Sequence, residues 1–470
     1  MVRMKRLDRY VATSISVLAI AGCSSAREES APSVAMAENS APVAADAPLT
    51  TYDIAEDAAA PSRSTTRTEV DVAGLVRTRT TTTTEGPGAL PAPPPPPILT
   101  APDRPQAGLL TAGDHDDLLN PELYADYAGR YLQNSGRSLP FVDTRTRVGV
   151  KVVDRNGRPV PFARVAVARP GAALQLTTAS DGVASYYPRF DRVPAATTIT
   201  VTSSAGGATR TLSTGRGARR VAIALPGTAQ AVTRMDLALV IDTTGSMGDE
   251  IAYLQAELDQ IVARLRRDAG QIDLRIGLVV YRDEGDDYVV KSSPLSADIR
   301  SLRRTLGQQE AGGGGDTPEA MDRAVAAVRR MQWRPDAAKA VLLVADAPPH
   351  QDSIATTLNL TQGLRASGIQ IVPVAASGVD DDAEYVMRTM ATMTQGRYIF
   401  LTDDSGVGNP HAEPDIACYA VTRLDQLVAR VLAGIVRGKR IEPTPSEIVR
   451  TVGTYDRGRC QRPGLAAGQG

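Results

Sequence analysis

The chain has 470 residues, a formal net charge of −1, 42% hydrophobic residues and only 4% aromatics. That length leaves room for two or three domains. A near-neutral balance without a basic tract excludes the electrostatic footprint of a nucleic-acid binder.

The first residues set an expectation for the compartment. MVRMKRLDRY is basic, VATSISVLAIAG is a short apolar run, and Cys23 comes next. Residues 1–22 therefore read as a secretory leader, too short in its apolar part to be a stable membrane span. Ile20-Ala21-Gly22-Cys23 resembles the lipobox of bacterial lipoproteins. That resemblance implies acylation of Cys23, a membrane partner reached through lipid and, with Ser24 next in the chain, sorting to the outer membrane of a Gram-negative envelope. Removing Arg3, Lys5, Arg6, Arg9 and Asp8 with the leader leaves a charge of −4. Cys418 and Cys460 then either pair in an oxidising compartment or stand as two thiols.

Residues 23–110 run through Ala, Pro, Ser and Thr, with TRTTTTTEGPG and PAPPPPPI. Such a composition buries too little apolar area to offset the entropy of ordering, so a disordered tether with a stiff polyproline section is expected. Residues 111–145 contain LLNPELYADYAGRYLQ, which predicts a short helix. Asn120 is a natural N-cap, Pro121 suits the first turn, and Tyr124, Tyr127 and Tyr131 recur at helical spacing as a packing stripe or a ligand platform. From 146 to 228 the period drops to two in VGVKVVD, ARVAVA, TITVTS and RRVAIAL, separated by DRNGRP, SDG and SAGG. This predicts a small antiparallel β-sandwich, and its pattern resembles carboxypeptidase-regulatory-like and bacterial Ig-like modules, which act as spacers or binding modules.

Between 232 and 440 the runs MDLALVID, LRIGLVVY, KAVLLVAD, IQIVPVAA and RYIFLT alternate with amphipathic segments. Strands apolar throughout are covered on both faces, so the fold class is a multidomain chain with an α/β Rossmann-like, mainly parallel sheet between helices. Residues 441–470 read as a loose tail.

In open α/β sheets, ligands bind at the carboxyl ends of the strands. There the first strand ends in Asp242 with Thr244 and Ser246 behind it, and VLLVA ends in Asp346. Between them AGGGGDTPEA brings Asp316, Thr317 and Glu319. An all-oxygen set of carboxylates and hydroxyls suits a hard divalent cation. Spacing of i, i+2, i+4 lets an extended turn aim Asp242, Thr244 and Ser246 at one point.

This constellation resembles the von Willebrand factor A domain and its metal-ion-dependent adhesion site, whose pattern Asp-x-Ser-x-Ser is here Asp242-x-Thr244-x-Ser246. The resemblance implies Asp346 as the third-loop donor. GGGGDTPEA looks like the Asp-x-Pro-Glu loop of integrin β subunits, which implies Glu319 as the second-loop donor with Asp316 in support; Thr317 competes with Glu319. It further implies Mg²⁺ (Mn²⁺ or Ca²⁺ in its place) and a protein partner whose Asp or Glu completes the shell. Asp249 and Glu250 are either a second cation site or first-turn acids suited to the helix dipole. YRDEGDDY reads as a solvated hairpin, and His350 and His411 as loop residues.

An enzyme is not expected. TTGSMG lacks the glycine a nucleophile elbow needs two residues before the serine, and GGGGDT lacks the Lys-Ser/Thr of a P-loop. The expectation is a cell-envelope lipoprotein that recognises a protein through a divalent cation. The alternative is a periplasmic scaffold or assembly factor with a structural metal.

Overall fold

A computed structural model describes residues 67–70, 76–79 and 108–461, except 214–216, 316, 407–410 and 412. The leader, Cys23 and most of the expected tether lie outside these residues. Within the tether, β1 (Arg67–Val70) and β2 (Val76–Arg79) pair antiparallel with Glu69 opposite Arg77. The rest of the expected tether, up to residue 107, lies outside the described residues.

The segment 111–145 is more than a helix. It opens with β3 (Thr111–His115), continues into α1 (Pro121–Ser135), and both join the α/β domain. TAGDH has weak strand propensity, which hid it, but tertiary contacts override propensity. A Cβ on Gly113 would lie 2.5 Å from the Phe400 ring, so only glycine lets β3 sit here. The tyrosine stripe packs on α6 (Asp381–Thr394): Tyr124 bonds Thr389 at 3.0 Å and Tyr131 stacks on Tyr385 at 4.1 Å. Asn120 does not cap α1; its amide donates to Gly458 O at 2.7 Å and accepts from Cys460 N at 2.8 Å.

Seven strands then form two packed sheets. They are β4 (Val148–Val153), β5 (Arg164–Val167), β6 (Leu174–Thr177), β7 (Val183–Tyr186), β8 (Ala196–Ser203), β9 (Gly206–Ser213) and β10 (Arg219–Ala224). The sheets β10-β4-β7 and β6-β5-β8-β9 share a core that includes Val150, Val165, Ile199 and Ile223. One pair differs from expectation: β10 runs parallel to β4. Five strands separate the two in sequence, and such a crossover does not force antiparallel pairing as a hairpin does.

The α/β domain continues through β11 (Arg234–Asp242), α2 (Gly248–Ala269), β12 (Asp273–Tyr281), β13 (Val290–Ser296) and α3 (Ile299–Leu306). Next come α4 (Met321–Arg329), β14 (Ala338–Ala345), α5 (Ile354–Ala366), β15 (Ile369–Ala375), α6 and β16 (Tyr398–Thr402). It closes with β17 (Tyr419–Arg423), α7 (Leu424–Arg437) and β18 (Arg450–Val452). The nine-stranded order is β13-β12-β11-β14-β15-β16-β3-β17-β18, with β12, β11, β14, β15 and β16 parallel. Along β11, Leu237, Leu239 and Ile241 face α2 and α7, while Ala238 and Val240 face α4, α5 and α6. Strand β11 is apolar because both faces are covered.

Two sequence boundaries therefore move. The domain takes β3 and α1 from upstream of the sandwich and β18 from the expected loose tail. After β18, β19 (Tyr455–Asp456) and β20 (Arg459–Cys460) form a hairpin, and Cys460 is disulfide-bonded to Cys418. The sandwich is fastened at the amino-terminal edge of the sheet by Arg365, which holds Asp191 through two bonds of 2.8 Å, buried, and donates to Ser185 O at 2.6 Å. The disulfide closes a loop of 42 residues. On loop entropy it stabilises by about 4 kcal/mol. The Cys418→Ser/Cys460→Ser variant is expected to lose most of that in chemical denaturation and to free the tail hairpin to amide exchange; an unchanged midpoint contradicts this role.

Candidate metal centre

Strand β11 lies between β12 and β14, where the strand order reverses, and this leaves a crevice at its carboxyl end. Asp242 is the last residue of β11 and is fully buried. Its Oδ1 accepts from the Thr244 backbone N–H at 3.0 Å and the Thr244 hydroxyl at 2.7 Å. Thr244 Oγ1 lies 3.4 Å from Ser246 Oγ, in the 3₁₀ turn Gly245–Met247 that leads into α2. The three oxygens expected to share one point are thus linked in a chain. Asp346 comes directly after β14 and is buried.

The glycine-rich loop supplies the third side. Gly313 and Gly314 have φ of +74° and +68°, and a Cβ on Gly314 would lie 2.9 Å from Glu319 Oε1 and 3.1 Å from Thr244 Cβ. Any side chain there would push Glu319 and Thr244 apart. Glu319 is buried and its N–H donates to Pro348 O at 2.9 Å, tying this loop to the one that carries Asp346. Thr317 is exposed and lines the same open depression as Thr244, Ser246, Glu319 and Asp346. Asp316 lies outside the described residues.

YRDEGDDY is not merely a solvated hairpin. Both Asp286 carboxylate oxygens accept from Gly314 N–H, at 2.9 and 3.2 Å, and a Cβ on Gly313 would meet that carboxyl at 2.5 Å. Asp283 is buried and 2.6 Å from His350 Nε2. Arg282 donates to Thr243 O at 3.1 Å and Glu310 O at 2.9 Å, bracing both loops. Charge runs are solvated by default, and the sequence signal that could have reassigned this one is its position after β12, at the same sheet edge. Ser377, just past β15, was missed although the same edge rule covers it. Its N–H donates to Glu250 Oε1 at 3.0 Å and its hydroxyl bonds the same oxygen. Glu250 thus fastens α2 to this loop; the Asp249 side chain is not among those described. His411 pairs with Asp403 at 2.8 Å.

Electrostatically the crevice is overloaded. Burial, then the Asp346 carboxylate, push the Asp242 carboxyl up to about 7. Burial, then Asp242, Asp283, Asp286 and Asp346, push Glu319 up to about 9. Glu319 Oε2 is buried without a hydrogen-bond partner among the described residues, and the second Asp242 oxygen has only the buried Tyr281 hydroxyl beside it. A buried anion in that state is either protonated or paired with a cation, so the donors fit a hard ion. Among the described residues no three His, Cys, Asp or Glu side chains form a cluster that could hold a metal ion.

Residues 236–410 match the family model of the von Willebrand factor type A domain, and this part of the chain is a VWA domain. Over 188 residues the chain is 31% identical to the putative ariadne-like RING finger protein R811 of Acanthamoeba polyphaga mimivirus, covering 36% of this chain and 18% of that protein. Over 138 residues it is 25% identical to alpha-protein kinase vwkA of Dictyostelium discoideum, covering 29% and 22%. The chain thus spans about a fifth of the length of these relatives. Among solved structures, BatB, a conserved hypothetical protein from Bacteroides thetaiotaomicron, overlaps 43% of this chain and 99% of its own at a TM-score of 0.29 and 11% identity. The open conformation of the pilus adhesin SpaC from Lactobacillus rhamnosus GG overlaps 61% and 35% at a TM-score of 0.33 and 11% identity. Both overlaps are too loose to bear on function.

The raised carboxyls set a pH dependence. A group whose folded pKa lies above its unfolded value keeps its proton longer in the fold, so stability falls with rising pH between the two values. For Asp242 that window runs from its ordinary value of 3.8 to about 7, and for Glu319 from 4.5 to about 9. Chelator-treated protein is expected to melt progressively lower from pH 5 to pH 9, and Glu319→Gln to flatten that slope. A flat profile in the parent protein sinks the prediction.

Proposed function

We propose that this chain is a cell-envelope protein whose VWA domain holds a divalent cation and uses it to recognise a carboxylate on a protein partner. The reading rests chiefly on Glu319 Oε2, buried without a hydrogen-bond partner among the described residues and set beside the Asp242 and Asp346 carboxylates. When bound, Mg²⁺ (or Mn²⁺ or Ca²⁺) supplies an electrophilic docking point for a partner's Asp or Glu. Asp242 orients the Thr244 hydroxyl; Thr244 and Ser246 offer oxygen without charge; Asp346 and Glu319 approach from the other two loops. Asp286 keeps the glycine loop from collapsing onto them.

A binding role is favoured over catalysis by what surrounds Ser246. Its hydroxyl neighbour is Thr244. The chain's three histidines are engaged elsewhere, His115 beside Asp117 at 3.4 Å, His350 with Asp283 and His411 with Asp403. None of these histidines is positioned as the base of a serine nucleophile. The envelope assignment draws on the lipobox-like Ile20–Cys23 and on the Cys418–Cys460 disulfide, which suits an oxidising compartment.

Calorimetry with Mn²⁺ is the direct test: Asp242→Ala is expected to remove saturable binding while circular dichroism stays native, and undiminished affinity overturns the site. In envelope extracts the partner is expected to leave the protein on adding EDTA; a complex indifferent to chelation points to a permanent scaffold instead. Cys23→Ser is expected to move the protein from the membrane to the soluble fraction, and continued sedimentation with membranes contradicts lipid attachment.

A further inference from the structure

At the opposite, amino-terminal edge of the sheet, the sandwich and the VWA domain enclose a cleft of about 230 Å³. Five cationic side chains line it: Arg147 and Arg220 from the sandwich side, Arg397, Lys439 and Arg440 from the VWA side. Carboxylates are shared unevenly among them: Asp114, Asp116 and Glu442 surround Arg397 and Arg440. Arg440 is matched by Asp116 at 3.5 Å and by Glu442. Arg397 reaches Asp114 at 3.3 Å, an aspartate that Arg440 also contacts at 3.2 Å. Arg147 donates only weakly, to Leu118 O at 3.4 Å. Arg220 and Lys439 are exposed. Besides Asp116, which pairs with Arg440, the carboxylate that lines the cleft with Arg147, Arg220 and Lys439 is Asp181.

Compensation of helix dipoles does not absorb this surplus. Helices α6 and α7 both end at the cleft, and two carboxyl termini carry together about one negative charge. Arg397 is nine-tenths buried, and burial with the neighbouring Arg440 holds its pKa below the usual guanidinium value.

We infer that this seam is a binding site for a small phosphate-type anion, free or as a monoester, held between the sandwich arginines and the VWA Arg397 and Lys439. Cations delivered from two walls suit a tetrahedral group that offers oxygens in several directions better than a planar carboxylate. The site would make the two domains read one ligand jointly, at a distance from the metal edge.

The test is calorimetry on the full chain at constant ionic strength with EDTA present, using inorganic phosphate, glycerol phosphate and succinate as probes. Saturable binding of one of the two phosphates, tighter than succinate, is expected; which phosphate binds more tightly tells whether the natural ligand is the free ion or an ester. Because Arg397→Ala endangers the fold, the deciding variant is Arg220→Ser/Lys439→Ser, both exposed, which is expected to weaken binding roughly tenfold or more with an unchanged circular dichroism spectrum. No saturable heat from either phosphate, succinate as the tighter ligand, or an affinity untouched by the double variant overturns the assignment.

Discussion

The constraint on which the rest turns is negative charge held out of water at the carboxyl edge of the sheet. Asp242 ends a central strand with both faces covered, so its carboxylate has no route to solvent around the side. Asp346 and Glu319 are delivered beside it by loops that are themselves tied down. Burial beside one another pushes the Asp242 carboxyl up to about 7 and the Glu319 carboxyl up to about 9. The glycines at 313 and 314, the Asp286 clamp and the Arg282 brace all act to preserve an arrangement that is unfavourable without a counter-charge. Local strain of this kind concentrates at functional sites.

The remainder of the molecule makes that arrangement stiff. Helices on both faces bury two apolar clusters that include alternating residues of the same central strand. The sandwich is joined to the α/β domain not by a linker but by the buried Asp191–Arg365 pair and by Tyr187, whose hydroxyl donates to Thr392 O at 2.7 Å. Breaking one partner of such a pair is costly because the other is left charged and unpaired. The two domains are therefore expected to move as one.

Much of this was legible in the chain because it is periodic. Continuous apolar runs gave the parallel strands and alternation gave the sandwich. Asp242, Thr244, Ser246, Glu319 and Asp346 could be gathered because each lies in a loop at the carboxyl end of a strand. What escaped is what periodicity does not encode. TAGDH contains too little apolar residue to announce a strand, and its place depends on Arg397, Arg440 and the Phe400 ring, all nearly 300 residues or more away. Asp286 was hidden inside a charge run whose ordinary fate is solvation. Asn120 carries the side chain of a helix cap, yet its amide bonds the backbone of the tail hairpin at Gly458 and Cys460.

Strand β3 also decides how the molecule answers to tension. It precedes the sandwich in sequence yet sits between β16 and β17, hydrogen-bonded on both sides. The sandwich is thus an insertion in the α/β domain rather than a bead ahead of it. A pull on the N-terminal end does not travel through the sandwich; it enters the nine-stranded sheet directly, and two ladders must shear together before the strand can slip. The sandwich is mechanically shielded, and the load is borne by the layer that carries the crevice.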